Sequence, residues 1–511
     1  MTILYARTWG ETTCGINGEM IVVEVDVANG KFNFEIVGLA DTAVKESRER
    51  VRSAIKNSSC KFPDQHITVN LAPADLKKDG SGLDLPIAIG ILAAQARLEL
   101  PKDDAPVFVG ELALDGSLRP VSGILPMILR ARDEGRGSIF IPAGNAEEGE
   151  LVDGINVFTA HHLSEIVRHL KGEAALLPLK KCLRFSEEEI PTTVDFSDVQ
   201  GQVVAKRALE IAAAGGHNIL MVGAPGAGKT MLARRLPTIL PPMTEEEALE
   251  VTKIYSIAGL LSHRHGIVME RPFRSPHHTV SNSALIGGGS IPKPGEVTLS
   301  HHGVLFLDEL PEFTRSSLEV LRQPLEDRIV TISRVQATLT FPADFILVAA
   351  QNPCPCGFWG EEDGIHQCTC RPGDIQRYQK KISGPLLDRI DIQIHVPRLQ
   401  YKEMKGTRPT ESSAAIRKRV VAARARQQER LRGTHKFCNA SMGRREVKAF
   451  CPLTEGAEKM LESYFTALGL SARSHDRIIK VARTIADLDE AEKIDESHLG
   501  EAIQLRTSIQ S

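Results

Sequence analysis

The sequence predicts an α/β protein in three parts: an α+β N-terminal region, a central phosphate-loop α/β unit and a helical C-terminal region. Three observations carry this expectation. Gly223-Ala224-Pro225-Gly226-Ala227-Gly228-Lys229-Thr230 follows the apolar run Ile219-Leu220-Met221-Val222 and precedes Met231-Leu232-Ala233-Arg234-Arg235, the order strand, glycine loop, helix. Two further apolar runs, 304–307 and 345–350, fit buried parallel strands, and the first ends on Asp308-Glu309. Alternation at period two marks 21–38, whereas helical spacing prevails beyond Thr410.

Length and composition bound the rest. A chain of 511 residues has room for several cores, and a net charge of −3 gives no global positive field, so any polynucleotide contact must be local. No apolar run reaches the ~18 residues of a membrane span and the N-terminus lacks a signal-peptide pattern, which predicts a cytoplasmic protein without a membrane partner. Nine cysteines, five of them scattered singly, do not make a disulfide framework.

Taken in order, 21–27 and 32–38 alternate about an Asn29-Gly30 turn and predict a β-hairpin. Asp41 is placed to cap a helix over 42–57, and 66–71 reads as a strand. On that helix Lys45, Arg48, Arg50 and Arg52 are interleaved with Glu46 and Glu49, a solvated face rather than a nucleic-acid patch. Periodicity then fades around Pro178, Lys180-Lys181 and Pro191, so 173–195 is expected to link a domain over 1–172 to one over 196–397. Within the latter, Gln200-Gly201-Gln202 leads into a small-residue helix over 205–214.

The chemistry concentrates in 196–397. Glycines let backbone N–H groups turn inward, and the following helix aims its positive end at the same point, which makes a phosphate cradle. Gly223, Ala224, Pro225, Gly226, Ala227, Gly228, Lys229, Thr230 and Met231 are therefore the ATP-binding candidates, with Lys229 on the β- and γ-phosphates and Thr230 on Mg²⁺. Asp308 is placed to hold Mg²⁺ through water, and Glu309 to orient the attacking water as base. Asn352, after the third strand, could reach the γ-phosphate. Two alternating stretches meeting around Ser333-Arg334-Val335 predict a second hairpin with Arg334 near its tip.

Cys354-Pro355-Cys356 and Cys368-Thr369-Cys370 pair four thiols in a way that suits tetrahedral Zn²⁺, within an insertion at 354–370, although the CxC spacing is tighter than the usual CxxC. His366 is a substitute ligand. Arg371, Arg377, Tyr378, Lys380 and Lys381 follow at once and could form a local nucleic-acid contact. The run Arg417-Lys418-Arg419 with Arg424, Arg426, Arg430 and Arg432 reads as a solvated face, and the histidine-bearing loop 271–278 as a subunit-facing segment rather than a metal site.

Several of these segments also carry a resemblance. Residues 78–84 and 109–124 resemble the proteolytic domain of Lon proteases, a fold of the ribosomal S5 domain 2-like kind. On that register Gly82 stands at the family's serine, with Ser81 one residue off, and Leu125 at its lysine, which implies a retained fold without the catalytic dyad. The central unit resembles AAA+ ATPases. That resemblance makes Asn352 a sensor 1 and Arg389, in Gly384-Pro385-Leu386-Leu387-Asp388-Arg389-Ile390-Asp391, an arginine finger offered across a subunit boundary, the alternative being a salt bridge to Asp388 or Asp391. It further implies a helical lid over 398–511 in which Arg473, with Arg477 as fallback, is a sensor 2 closing over the nucleotide of its own subunit.

A hairpin before the sensor strand is similar to that of replicative helicases and the magnesium-chelatase branch, where Arg334 would grip phosphate or pack subunits. Over nearly its whole length the chain resembles the ComM/YifB family, a Lon-like domain fused to a magnesium-chelatase-type AAA+ ATPase. The resemblance implies a bacterial hexameric motor using ATP, Mg²⁺ and structural Zn²⁺. Such a motor acts on single-stranded or branched DNA as a helicase promoting branch migration in natural transformation and homologous recombination, with recombination proteins as partners. A Lon-type protease, a chelatase subunit acting on tetrapyrroles and a remodelling chaperone share parts of the same pattern.

Overall fold

Residues 4–28 pair with themselves: β1 (Leu4–Cys14) and β2 (Asn17–Ala28) are joined by Gly15 and Ile16 alone and run antiparallel from Leu4↔Val27 to Cys14↔Asn17. The computed structural model describes residues 4–38, 42–74, 76, 78, 80–96, 98–101, 105–181, 194–261, 266–289, 292–333, 338–360, 367–398, 410–434, 436–468 and 471–507. The expected hairpin about Asn29-Gly30 is not formed. β3 (Asn33–Val37) pairs parallel with β4 (His66–Ala72), and β4 takes the place beside β2. Burial decides the order: Ile67, Val69 and Leu71 of β4 are fully buried, whereas Asn33 and Glu35 of β3 reach solvent, so the more apolar strand occupies the inner position. The helix expected over 42–57 is present as Thr42–Asn57, and its proposed cap, Asp41, lies outside the described residues.

β5 (Val107–Phe108), β6 (Ser138–Pro142) and β7 (Asn156–Ala160) extend this sheet by parallel pairing, giving the order β3-β4-β2-β1-β5-β6-β7. One apolar layer holds Phe108 and Phe140 with the almost wholly buried helix Asp84–Ala94; the other holds Val107, Ile139 and Ile141 with the helix Ile124–Asp133. The two positions that matter for peptidase chemistry are apolar. A Cβ on Gly82 would meet Val121 and Val109 at 3.4 and 3.5 Å, and Leu125 is fully buried. Ser81 donates its hydroxyl to Glu111, and the buried Lys78 donates to the Pro73 carbonyl. The stretch expected as linker begins docked: Leu179 N–H donates to the Val157 carbonyl (2.8 Å) and Lys181 pairs with Asp153 (2.7 Å).

In the second half, β8 (Ile219–Val222), β9 (Phe273–Arg274), β10 (Val304–Leu307), β13 (Ile346–Gln351) and β14 (Ile392–His395) form an all-parallel sheet in the order β9-β10-β13-β8-β14. Its three central strands, β10, β13 and β8, are apolar on both faces, as a sheet covered on both sides requires. Met221, Phe306 and Val348 point into one core, Val222, Leu307 and Ala349 into the other. β11 (Ile329–Ser333) and β12 (Thr338–Pro342) make the second expected hairpin, from Ile329↔Pro342 to Ser333↔Thr338. Its tip, with Arg334, lies outside the described residues.

The helices Ser413–Arg430, Glu455–Leu468, Ala472–Leu488 and Glu496–Thr507 complete the chain. Their Ile416, Val420, Ile478 and Ile485 share one core with Met221 and Phe306, so the expected lid is packed onto the sheet layer and bonded to it, with Gln427 Nε2 donating to the Ala214 carbonyl at 3.1 Å. The arginine-rich helix uses its guanidinium groups internally. Arg417 donates to the Thr238 carbonyl, Arg419 pairs with Glu210 and Glu411, and Arg430 pairs with the buried Asp487. Among the described residues no helix is long and apolar enough to cross a membrane. The two halves meet where Gly123 N–H donates to the Ser256 carbonyl (3.1 Å) and where Glu148, its carboxyl pushed up by burial, accepts from Ser256 and from Leu125 N–H.

Candidate nucleotide site and metal centre

Parallel strands all end at the same edge of their sheet, and three adjacent ones place their exits side by side here. β8 leads into the glycine loop, β10 into Asp308 and Glu309, and β13 into Asn352. Pro225, Gly226, Ala227, Gly228, Lys229, Thr230, Met231, Asp308, Glu309, Gln351 and Asn352 line one cleft. Gly223 and Ala224 lead into it, their carbonyls accepting from Lys229 Nζ at 2.6 and 3.0 Å. Gly228 sits at φ +92°, a conformation that L side chains avoid, immediately before the helix Lys229–Ile239 begins. The N-terminal amides of that helix face the cleft, the arrangement that binds phosphate.

The side chains are already in register for a magnesium nucleotide. Lys229 Nζ also donates to Asn352 Oδ1 at 3.2 Å, which joins the loop to the neighbouring strand end. Thr230 donates its hydroxyl to Asp308 Oδ2 at 2.7 Å; a cation bound between them would take one oxygen from each. Glu309 holds φ +52°, unusual for a residue with a side chain, and its carboxylate is more than half exposed in the cleft. Thus Asp308 faces Thr230, and Glu309 is open to the cleft.

Two residues of this site escaped sequence reasoning. His278, read as part of a subunit-facing loop, lies with Nδ1 3.4 Å from Glu309 Oε2 and edge-on to Phe313. The signal was β9: a two-residue parallel strand beside β10 brings its own exit to the same edge. Gln351, the last residue of β13, also borders the cleft.

Arg389 and Arg473 are not among the residues lining the cleft of their own chain. Arg389 forms an ion pair with Glu326 on the short helix Arg322–Asp327, and Arg473 approaches the same carboxylate at 3.9 Å. Glu326 thus gathers both arginines, and the pairings with Asp388 or Asp391 weighed for Arg389 are not made. Asp391 is engaged by Arg477 at 3.1 Å and by His217 at 3.3 Å; burial works against its charge, but these partners hold its carboxyl well below the usual range. With Arg477 fixed there and Ile478 and Ile479 in the core, the helix Ala472–Leu488 turns Arg473 toward Glu326, so the expected closure over the nucleotide of its own subunit is not the arrangement seen.

The four clustered cysteines converge two residues beyond Asn352. Cys354 Sγ lies 3.3 Å from Cys356 Sγ and 3.7 Å from Cys368 Sγ, Cys356 Sγ lies 3.6 Å from Cys368 Sγ, and the ligand atoms of all four, Cys370 included, fall within 4.8 Å of one another. Sulfurs on a tetrahedral ion with ~2.3 Å arms stand about 3.8 Å apart, so the donor set fits a thiophilic metal. Trp359 N–H donates to Cys354 Sγ (3.3 Å) and Cys356 N–H to Cys370 Sγ (3.4 Å), bonds that favour thiolate. His366 lies outside the described residues.

Glu250, His301 and His302 also cluster, a grouping invisible at a separation of some 50 residues. There the Asp344 amide donates to His301 Nδ1 (3.0 Å), which leaves the ring proton on Nε2, facing Glu250 rather than a metal. Of the DNA-contact candidates, Arg377 pairs with Asp374 and Lys381 with Glu312, while Lys380 is exposed.

Three family profiles match in succession: residues 23–145 to "Subunit ChlI of Mg-chelatase", 195–404 to "Magnesium chelatase, subunit ChlI" and 410–506 to "Magnesium chelatase, subunit ChlI C-terminal". The uncharacterized protein YifB of Salmonella typhimurium is 45% identical over 96% of this chain and 95% of its own length. Competence protein ComM of Haemophilus influenzae is 44% identical over 100% of this chain and 98% of its own. Lon protease 2 of Bacillus subtilis is 26% identical over 30% of each chain.

Proposed function

Because this chain belongs to the ComM/YifB family of magnesium-chelatase-type proteins, we propose that it is an ATPase whose hydrolysis moves DNA. The observation that carries the ATPase reading is the convergence of Lys229, Thr230, Asp308, Glu309 and Asn352 on one cleft at the carboxyl edge of a parallel sheet. The glycine loop and Lys229 would hold the phosphates of ATP, Thr230 and Asp308 would hold Mg²⁺, which would supply charge neutralisation there, and Glu309 would orient the attacking water. On the family resemblance Arg389, released from its pair with Glu326, reaches the neighbouring subunit's cleft, with Arg473 beside it, so the working unit is a ring, a homo-hexamer.

The substrate is single-stranded or branched DNA, and the reaction is branch migration during strand integration. The support is the name of the Haemophilus influenzae relative, a competence protein, and the hairpin β11–β12 placed directly before the strand that carries Asn352. Arg334 at its tip is the proposed contact, with Arg377, Lys380 and Lys381 beside the cysteine cluster as secondary ones. The cysteine cluster holds structural Zn²⁺. The N-terminal half acts in docking or assembly rather than proteolysis, a reading supported by the apolar surroundings of Gly82 and Leu125.

The test is the ATPase rate of the full chain with and without forked DNA. Stimulation that Arg334→Ala abolishes while basal turnover persists is the expected result; turnover indifferent to DNA overturns the substrate while leaving the ATPase standing.

A further inference from the structure

Metal sites set into a fold stabilise whatever their ligands are attached to, so what the cysteine cluster touches decides what it controls. It touches the nucleotide cleft at two points. Gly357 N–H donates to the Cys354 carbonyl (3.0 Å), a turn that swings the backbone toward the glycine loop with Gly357 at φ +89°. A Cβ placed on Gly357 would stand 2.5 Å from Pro225 Cδ and 2.8 Å from its Cγ, so the turn lies directly on the proline of the phosphate cradle.

The second point is Asn352. Two residues after Cys370 the helix Pro372–Gln379 begins, and its buried Tyr378 returns to the backbone amide of Asn352. Asn352 in turn accepts from Lys229 Nζ. The path of contacts therefore closes on itself: from Asn352 through Cys354 and Cys356, across the cluster to Cys368 and Cys370, along the helix to Tyr378, and back to the neighbourhood of Asn352.

We infer that a thiophilic divalent metal held by Cys354, Cys356, Cys368 and Cys370 braces the phosphate cradle, so that metal occupancy sets nucleotide affinity through the Gly357–Pro225 contact, with Tyr378 beside Asn352 as a second support. This rests on reading the four thiols as a metal site. Without the ion the Cys354–Gly357 turn meets the 368–370 segment, among the described residues, through weak sulfur contacts such as Cys356 N–H to Cys370 Sγ, and both Pro225 and Asn352 have a looser neighbour. The metal takes no part in the chemistry; it is a positioning device for the groups that touch nucleotide.

The experiment uses the full chain. Metal content is measured as purified, Zn²⁺ is removed by chelation and restored, Co²⁺ is substituted so that thiolate coordination is read from its absorption, and binding of a fluorescent ATP analogue is titrated in each state. The expected result is one metal per chain, thiolate–Co²⁺ absorption, and nucleotide affinity weakened about tenfold on stripping and regained with Zn²⁺, a change of about 1.4 kcal/mol. Gly357→Ala provides an arm that survives any unfolding of the stripped protein: it keeps all four thiols and the Co²⁺ absorption, and is expected to weaken nucleotide binding by a similar factor. Metal bound with nucleotide affinity unchanged, both on stripping and in Gly357→Ala, overturns the brace while the metal site stands. A chain that retains no metal overturns both.

Discussion

Lys229 and Glu309 make different demands on the same nucleotide. Lys229 Nζ donates to the Gly223 and Ala224 carbonyls and to Asn352 Oδ1, so it is held in the cleft, and Lys229→Ala is expected to abolish binding of a fluorescent ATP analogue. Glu309→Gln should bind the nucleotide normally yet turn over about 10²–10⁴-fold more slowly, the range for a lost general base, as a phosphate-release assay would measure. Glu11 supplies a second residue-scale test, in the N-terminal half. Both its oxygens are buried without a partner among the described residues, and burial pushes its carboxyl from 4.5 up to about 9. The folded state therefore keeps a proton that the unfolded state gives up from about pH 4.5; the associated stability is complete below that pH and is lost as pH climbs through 9. Glu11→Gln removes this titration, so the variant should gain on the parent by about 3 °C or more in Tm between pH 5 and pH 8. An equal offset at the two values would contradict it.

Among the elements, the parallel strands were readable because each is an unbroken apolar run ending on polar chemistry, as in Val304–Leu307 before Asp308-Glu309. The misjudged hairpin had a good turn signal in Asn29-Gly30, but pairing is settled by which strand best fills the inner position, and that depends on β4, which arrives some 30 residues later. His278 was missed for a related reason: a two-residue strand has too few residues to show a period. The arginine-rich helix Ser413–Arg430 reads in the sequence as a solvated face, whereas Arg417, Arg419 and Arg430 pair within the fold, with partners that the sequence does not place beside them. They include Asp487, fully buried between Arg430 and Arg483 at 3.0 Å or less. Asp487→Ala would leave two guanidinium groups without their shared counter-charge and should cost about 3–5 kcal/mol in denaturant unfolding. A loss below 1 kcal/mol would show that water compensates them.

At the scale of the molecule, the groups proposed for hydrolysis lie in two places. The cleft holds the cradle, Asp308, Glu309 and Asn352, whereas Arg389 and Arg473 meet at Glu326. An arginine that completes a neighbour's site typically contributes on the order of 10³–10⁵ in rate, so chains defective on opposite surfaces should rescue one another. The N-terminal half enters this picture through Glu148 and Ser256, which tie its helix Ile124–Asp133 to the helix Glu245–Ala258, itself bonded through Tyr255 and Glu250 to Leu299, His301 and His302 just before β10. The most direct measurement is the ATPase rate of an equimolar mixture of Lys229→Ala and Arg389→Ala chains, each inactive alone. The account predicts turnover restored to about a quarter of wild type or less, from seams that pair an intact cradle with an intact arginine. A mixture as silent as its components, or an Arg389→Ala chain that hydrolyses ATP unaided at the parental rate, would contradict it.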